Sequence, residues 1–346
     1  MHISDFDYEL PRELIARSPA EPRDNSRMMV LNSTSGNIIN SQFRNFPDYL
    51  QPSDVLVLNN TRVIRARTRA RLERHDGTSR QMEVFFAEPA GPHLWQVLCK
   101  PGRRIRPGDR AVFGDGQYSG TFQKSLGSDL HLLKIDSAEE VLSAFGEMPL
   151  PPYLERSPVP ADDVNYQTVF GVHSGAIAAP TAGLHFTSDI LDAVRARGIE
   201  IVSITLHVGI GTFLPVRSDN PKEHKLRPER YEVSVSAAEA LQAAIQDRRR
   251  IIAVGTTTLR TLEFLMLRDG RIQAGSGLAD LYILPGFRFQ AVNGLLTNFH
   301  LPKSTLLMLV SAFAGHATIM KAYRRAVQAG YRFYSYGDCM FINGDA

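Results

Sequence analysis

The chain has 346 residues, of which 43% are hydrophobic and 22% are charged, and its formal net charge is only +3. This length exceeds one comfortable hydrophobic core and predicts two domains, while the composition excludes disordered and fibrous proteins. Cys99 and Cys339 fit no disulfide or metal-ligand spacing, the amino terminus has no signal-peptide pattern, and no apolar run is long enough to span a bilayer. We therefore expect a cytoplasmic protein that is not inserted in a membrane.

The first sixty residues predict a short helix at 11–17 and two strands, at 28–31 and 54–58. The second strand is an unbroken apolar run, which is typical of a strand buried on both faces. It ends abruptly in the polar run NNTR at residues 59–62.

A different pattern begins at residue 62. Short alternating segments at 65–71, 81–87, 94–100, 110–113, 118–122 and 130–135 are separated by Gly-containing turns. Such regular spacing predicts a small antiparallel barrel or sandwich. The Pro-rich stretch MPLPPY at 148–153 favours an extended return linker, so we place an inserted all-β, barrel-like domain at 62–150.

The inserted domain is basic in its first half. Between residues 62 and 110 there are 12 Arg or Lys against 5 Asp or Glu. Arg67 and Arg69 share one strand face with Arg65 and Arg71, because side chains two apart point to the same side. A solvated outer face explains such a row, and so does a surface that binds nucleic-acid phosphates.

Strands and helices alternate after residue 151. Helices are predicted at 188–197, 237–247, 258–267, 318–329 and from 304 to 314, with strands at 200–206, 250–254, 280–283 and 331–336. This rhythm predicts a mainly parallel sheet. The fold class is therefore an α/β main domain, residues 1–61 and 151–346, interrupted by the inserted β domain.

Two glycine-rich stretches carry the first candidate chemistry. GAIAAPTAGLHF (175–186) ends near His185, and TLHVGIGTF (205–213) contains His207. Glycines let a backbone approach a bound molecule closely, and imidazoles titrate near neutrality. We interpret the stretches as facing walls of one pocket, although two tight structural turns would give the same pattern.

Further polar groups lie at the ends of predicted elements. The run IIAVGTTTLR (251–260) leads from a strand into a helix whose free N–H groups suit a carboxylate or phosphate, unless its threonines are plain caps. Asp338 is expected just beyond the last strand, where ligand crevices of α/β proteins form. GIG at 209–211 fails as a dinucleotide motif, and the histidines lack metal-ligand spacing, so no metal is expected.

These segments, taken in order, closely resemble one known family. They are NNTRVI (59–64), MPLPPY (148–153), YQTVF (166–170), APTAGLHF (179–186), TLHVG (205–209), VGTT (254–257), TNFHLP (297–302), SAFAG (311–315) and SYGD (335–338). The chain resembles the S-adenosylmethionine:tRNA ribosyltransferase-isomerases of queuosine biosynthesis nearly from end to end.

The resemblance implies an enzyme that consumes S-adenosylmethionine as a co-substrate. Its ribosyl group would be transferred and isomerised onto 7-aminomethyl-7-deazaguanine at the tRNA wobble position, giving epoxyqueuosine, adenine and methionine. It also implies the interrupted α/β fold. No obligate protein partner is inferred.

That chemistry needs a base beside the sulfonium and an acid for the leaving adenine. We assign proton transfer to His185 and His207, and binding of the substrate amine to Asp338. The co-substrate pocket is assigned to Thr181, Phe186, Gly209, Gly211, Thr212, Thr256, Thr257 and Arg260. Phosphates of tRNA are assigned to Arg67, Arg69, Arg103 and Arg106.

The sequence departs from the family pattern at two places. Arg227 replaces a second His that the family often has three residues after the position of His224, although Glu229 is kept, and Arg65 replaces a usual Pro. Two other functions fit parts of the sequence. A tRNA methyltransferase would use the same co-substrate but yield S-adenosylhomocysteine, and a non-catalytic RNA-binding protein would bind no S-adenosylmethionine.

Overall fold

The computed structural model describes residues 1–127, 129–209, 211, 219–224 and 226–344. Its strands are β1 (Arg27–Asn32), β2 (Ile38–Gln42), β3 (Val55–Asn59), β4 (Thr61–Val63), β5 (Arg67–Glu73), β6 (Ser79–Gly91), β7 (Leu94–Lys100), β8 (Arg110–Phe113), β9 (Tyr118–Gly127), β10 (Leu130–Lys134), β11 (His173–Ala176), β12 (Glu200–His207), β13 (Glu229–Val233), β14 (Ile251–Val254), β15 (Gly275–Ala279), β16 (Gly294–Asn298) and β17 (Cys339–Asn343). The helices are α1 (Ala138–Phe145), α2 (Asp162–Asn165), α3 (Ser188–Ala196), α4 (Val235–Gln246), α5 (Thr256–Asp269), α6 (Thr305–Ala314) and α7 (His316–Gln328).

The main sheet has the strand order β15-β13-β12-β3-β14-β16-β17-β1-β2. Strand β3 is apolar throughout because both of its faces are covered: Val55 and Val57 pack in one core, and Leu56 and Leu58 in a second core. Strands β12, β3, β14 and β16 are parallel neighbours, so their carboxyl ends meet at one edge of the sheet. We call this the carboxyl edge.

The inserted segment forms a closed antiparallel barrel with the strand order β10-β7-β6-β5-β8-β9. Each predicted β segment between residues 65 and 135 corresponds to one of its strands. Inward side chains such as Val84, Phe86 and Phe113 fill the barrel. The predicted fold class, an α/β domain with an inserted barrel-like domain, is confirmed, while the boundaries at 61/62 and 150/151 stay a prediction.

The main sheet is mixed, so the prediction of a mainly parallel sheet holds for only four of its eight neighbouring strand pairs. Only its centre and the β1–β17 pair are parallel, and β13, β15, β2 and the β16–β17 pair are antiparallel. The predicted strand at 331–336 is also wrong. Its alternating aromatic residues fold into a bend in which Tyr331 and Phe333 pack on Phe299, and the closing strand is β17.

Two smaller predictions also differ from the structure. The predicted helix at 11–17 is a single 3₁₀ turn, Arg12–Leu14, and the strand predicted at 280–283 lies at Gly275–Ala279. Strands β2, β4, β11, β13 and β16 were not predicted from the sequence. Among the described residues, no single helix has the length and apolarity needed to cross a membrane. Helices α6 and α7 reach that length only as a pair bent by 117°.

Candidate active site

The carboxyl edge of the main sheet collects most of the polar residues selected from the sequence. The parallel strands β3, β12, β14 and β16 all end there. The polar residues at these ends are NNT (59–61), His207, Thr256 and Asn298. Strand β11 and the 3₁₀ turn Thr181–His185 lie across this edge, because β11 pairs with β4 and the turn packs on β16. Parallel sheets commonly bind ligands at such an edge.

Each residue of the run NNT forms a side-chain hydrogen bond with a different residue at the end of β12. Asn59 Nδ2 donates to the Leu206 carbonyl at 2.9 Å, and its Oδ1 accepts from the Leu206 amide at 3.0 Å. The Thr205 hydroxyl donates to Asn60 Oδ1 at 2.7 Å. The third contact joins Thr61 Oγ1 to His207 Nδ1 at 2.8 Å. These contacts fix the orientation of the His207 ring.

His207 is held by one nitrogen only. The hydroxyl of Thr61 lies 3.4 Å from the His173 carbonyl oxygen, which can accept its proton. Nδ1 of His207 then donates to Thr61, and Nε2 keeps a lone pair. Within the described residues Nε2 has no hydrogen-bond partner. Burial, followed by the positive charge of Arg230, lowers the pKa of His207, so the ring is neutral at physiological pH.

Gly175 makes room for this imidazole. Its φ is +149°, and a Cβ built there would lie 2.8 Å from Cε1 of His207. The opening residue of the first glycine-rich stretch therefore contacts the histidine of the second, and this contact is compatible with the two stretches forming walls of one pocket.

His185 has a different environment, because both ring nitrogens are hydrogen-bonded. Asn298 Nδ2 donates to Nε2 at 3.2 Å, so Nδ1 carries the proton and donates to Ser26 Oγ at 2.7 Å. Thr181 Oγ1 donates to Asn298 Oδ1 at 3.0 Å and extends the network. His185 is 4% exposed, and burial lowers its pKa to about 3. The strands that anchor the two imidazoles, β12 and β16, are three spacings apart, about 14 Å.

Stability should therefore depend on pH through His185. Its folded pKa of about 3 lies below the ordinary 6.5, so the unfolded chain takes up the proton first as pH falls. The stabilisation is complete above pH 6.5 and is lost towards pH 3, at about 1.4 kcal/mol per pH unit. We expect His185→Gln, which keeps both hydrogen bonds, to reduce the pH dependence of the free energy of unfolding by about this amount.

The measurement is urea unfolding of both proteins at pH 7.5, 5.5 and 4.5. His300 contributes a similar pH dependence in both proteins, because burial lowers its pKa to about 3 as well. His316→Gln, the same substitution on an exposed side chain, is the control. Identical pH dependence in the parent and His185→Gln would contradict the burial of a neutral ring.

Asp338 and Phe186 are both buried. The two carboxylate oxygens of Asp338 accept the backbone N–H groups of Arg27 at 2.9 Å and Arg332 at 2.8 Å. Burial raises the pKa of Asp338. Phe186 packs edge-on against Phe43, Phe46 and Phe170 beneath the sheet. Asp338 precedes β17, so the prediction that it follows a strand is wrong, and both environments favour a supporting role.

The start of α5 lies at the carboxyl edge, and its first backbone N–H groups are not capped by a side chain among the described residues. Gly255, with φ +91°, precedes the helix. The first-turn N–H groups, including those of Thr256 and Thr257, have no partner within the helix. The 3₁₀ turn is adjacent, because Ala182 Cβ lies 3.8 Å from the position of a Cβ at residue 255. This end can hold an anionic group.

Arg260, one turn into α5, already has a carboxylate partner. Its Nη2 forms a short, buried ion pair with Glu229, the first residue of β13. The other Glu229 oxygen lies 3.4 Å from the Gly209 amide nitrogen, and the buried Arg260 Nε has no partner among the described residues. A cavity of about 30 Å³ adjoins this group, between Gly209, Gly211 and residues 87–88 of the barrel. Thr212 lies outside the described residues.

The arginines assigned to RNA lie on the barrel. Arg67 and Arg69 point outward from β5, as the alternation predicted, but Arg67 Nη2 is paired with Glu83 at 2.5 Å. Arg103 and Arg106 are exposed in the loop between β7 and β8. Among the described residues, no cluster of His, Cys, Asp or Glu side chains has the geometry of a metal site.

Sequence reasoning missed the residues that orient the imidazoles. No role was assigned to Thr61, which contacts His207, or to Asn298 and Ser26, which contact His185. Glu229, the partner of Arg260, was not assigned a role either. A signal existed for Thr61, because a polar run directly after a buried strand lies at the carboxyl edge. No local signal identifies Ser26, which is 159 residues from His185.

The fold and site together define an α/β protein with an inserted basic barrel and an imidazole site at the carboxyl edge of its main sheet. The queuosine biosynthesis protein family matches residues 3–342. An S-adenosylmethionine:tRNA ribosyltransferase-isomerase of Symbiobacterium thermophilum is 50% identical over 99% of this chain and 100% of its own length. The enzyme of that name from Desulfitobacterium hafniense is 47% identical over the same shares.

A solved structure is also similar. The crystal structure of S-adenosylmethionine tRNA ribosyltransferase from Thermotoga maritima shares 36% identity and a TM-score of 0.57, covering 98% of this chain and all of that one. The chain belongs to the queuosine biosynthesis protein family.

Proposed function

We propose that this chain transfers and isomerises the ribosyl group of S-adenosylmethionine onto 7-aminomethyl-7-deazaguanine at the wobble position of tRNA. Adenine and methionine leave, and the tRNA carries epoxyqueuosine. The observation that carries the proposal is full-length similarity, up to 50% identity, to relatives bearing the name of this activity. The neutral, singly held imidazole at the carboxyl edge supplies a group suited to the proton transfers.

His207 is the proposed base. Removing the proton beside the sulfonium requires a neutral group with an accessible lone pair, and Nε2 of His207 meets both conditions. After this step the imidazolium can return a proton to the departing adenine. His185 stays a candidate for proton transfer, but its two hydrogen bonds and low pKa support positioning of Asn298 and Thr181 instead.

The methionyl carboxylate is proposed to bind at the start of α5. First-turn N–H groups at Thr256 and Thr257 offer hydrogen bonds and partial positive charge. Arg260 can donate to the carboxylate through its Nε–H group. It cannot offer both terminal nitrogens, because Nη2 is paired with Glu229. Gly209 and Gly211, beside Glu229, border the same region.

The outer face of β5 is proposed to contact tRNA phosphates. We expect Arg69→Gln to weaken tRNA binding and to reduce the slope of log K against log salt by about 0.7–0.9, since one phosphate contact is lost. Arg67→Gln should reduce the slope less, because Glu83 already neutralises Arg67. The measurement is tRNA binding at several salt concentrations. The control is Arg195→Gln on α3, and equal slopes for Arg69→Gln and the parent would exclude this face.

The function itself is tested by incubation with S-adenosylmethionine and tRNA bearing the aminomethyl base. Nucleoside mass analysis should show epoxyqueuosine, with one adenine released per modified tRNA. S-adenosylhomocysteine in place of adenine would identify a methyltransferase. Binding of tRNA without any consumption of S-adenosylmethionine would identify a non-catalytic RNA-binding protein.

A further inference from the structure

The end of the barrel remote from the main sheet contains an open cavity of about 660 Å³. It lies between the β5–β6 turn and the β7–β8 loop, and Arg74, Arg103, Arg104 and Arg106 line it. Gly108 lets the loop close over the turn, since its φ is +89° and the His75 ring occupies the place of a Cβ. We call this cavity the tip socket.

The tip socket holds four arginines against two carboxylates, and Asp76 offsets only part of the charge of Arg74 and Arg106. Asp109 is buried, and its oxygens contact the Arg106 backbone N–H at 2.9 Å and His75 Nδ1 at 3.5 Å. Asp76 Oδ1 accepts from the amide and hydroxyl of Thr78. Among the described residues, none of the four lining arginines forms an ion pair, so the tip socket keeps a positive charge.

Several guanidinium N–H groups in and beside the tip socket are also without acceptors. Arg74 Nε and Nη2 and Arg80 Nε are buried and have no hydrogen-bond partner among the described residues, whereas Arg80 Nη2 donates to the Pro101 carbonyl at 3.0 Å. Burial, and then the nearby charges of Arg74 and Arg104, lower the pKa of Arg80. Buried donors and crowded like charges are unfavourable in the free protein. An anion bound beside Arg74 and Arg104 would offset the repulsion among these positive charges.

The tip socket is far from the proposed site of chemistry. Strand β5 begins at Arg67, directly after Ala66, which packs in one cluster with Ile177 of the main domain, and the chain reaches Arg74 seven residues after Arg67. Seven steps of an extended strand span roughly 24 Å. A group bound at the tip therefore belongs to a large ligand if it also reaches the carboxyl edge.

We infer that the tip socket binds a single backbone phosphate of the RNA substrate, held jointly by Arg74 and Arg104, which both line the cavity. This inference rests on the proposed function, since it takes tRNA as the ligand. Arginine suits this role because its planar donors match phosphate oxygens. The tip socket fixes one point of the RNA at a distance, whereas the face of β5 supplies separate contacts along the barrel.

The test is binding of unmodified tRNA, without S-adenosylmethionine, to the parent and to Arg74→Gln/Arg104→Gln at several salt concentrations. One shared phosphate predicts that the double variant lowers the salt slope by about 0.7–0.9, whereas two separate phosphates would lower it by about 1.4–1.8. Arg195→Gln/Arg324→Gln, which removes two exposed charges from α3 and α7, should leave the slope unchanged.

Inorganic phosphate at constant ionic strength is the second probe. A loss of phosphate-dependent thermal stabilisation in the double variant, with an unchanged tRNA slope, would make the tip socket a small-anion site and overturn the inference. A slope reduced by the two-phosphate amount, or equal to that of the parent, would also overturn it. Failure of the parent itself to bind tRNA would instead reject the proposed function.

Discussion

Replacing His207 with glutamine is expected to slow single-turnover release of adenine by about 10²–10⁴-fold, which is the usual contribution of a positioned acid–base group. Glutamine can keep the hydrogen bond to Thr61 Oγ1 but cannot accept the proton. In the parent, the rate should rise as pH increases through a value below 6.5, because burial lowers the pKa of His207 and the neutral ring is the active form. This rise should be absent in the variant.

The measurement combines rapid-quench adenine release with a thermal melt in the presence of S-adenosylmethionine. His316→Gln is the matched control, since it makes the same substitution on an exposed histidine of α7. A His207→Gln protein that melts like the parent and releases adenine at the parent rate would refute the assignment. The same assay on His185→Gln would then show whether that buried ring moves the proton.

The second large effect is expected on stability, from Arg260→Ala. The substitution leaves the Glu229 carboxylate buried at 5% exposure without its guanidinium partner. Loss of one partner from a buried ion pair costs about 3–5 kcal/mol. Urea unfolding should show this loss. Arg260→Met/Glu229→Gln removes both charges with similar volumes and should recover most of it.

Because Arg260→Met/Glu229→Gln should be nearly as stable as the parent, its substrate binding can be measured without a folding defect. If Arg260 Nε–H contacts the methionyl carboxylate, the Michaelis constant for S-adenosylmethionine should rise about tenfold or more while that for tRNA stays constant, because a hydrogen bond to a charged group contributes about 1.5–3 kcal/mol. If the Michaelis constants for both substrates are unchanged, Arg260 does not bind the carboxylate and only stabilises β13 through Glu229.

Local patterns predicted much of the fold. The barrel strands follow from alternation and turn residues that lie close together in sequence, and β3 and β14 follow from short apolar runs. Strand directions in the main sheet could not be read in this way. The final strand, β17, inserts between β16 and β1, and its pairing with β1 joins residues 311 positions apart, such as Met28 and Cys339.

For the candidate site, too, its location could be predicted from local patterns, but the state of its side chains could not. Glycines and histidines at element ends located the carboxyl edge, because parallel strands bring their ends together. The state of each imidazole depends on partners distant in sequence, whose pairing with a particular histidine the sequence does not show: Ser26 and Asn298 saturate His185, whereas Thr61 holds only one nitrogen of His207. Two histidines in similar glycine-rich contexts therefore have different chemical capacities.

The absent side chain at Gly175 has a consequence for how this sequence can diverge. Because a Cβ there would overlap the His207 ring, positions 175 and 207 limit each other across 32 intervening steps of the chain. Alanine at 175 would require the His207 ring to shift from its place beside Thr61, and the φ of +149° would also strain any side chain there. A side chain at 175 therefore disturbs the position of the imidazole, even though residue 175 itself carries no reactive group.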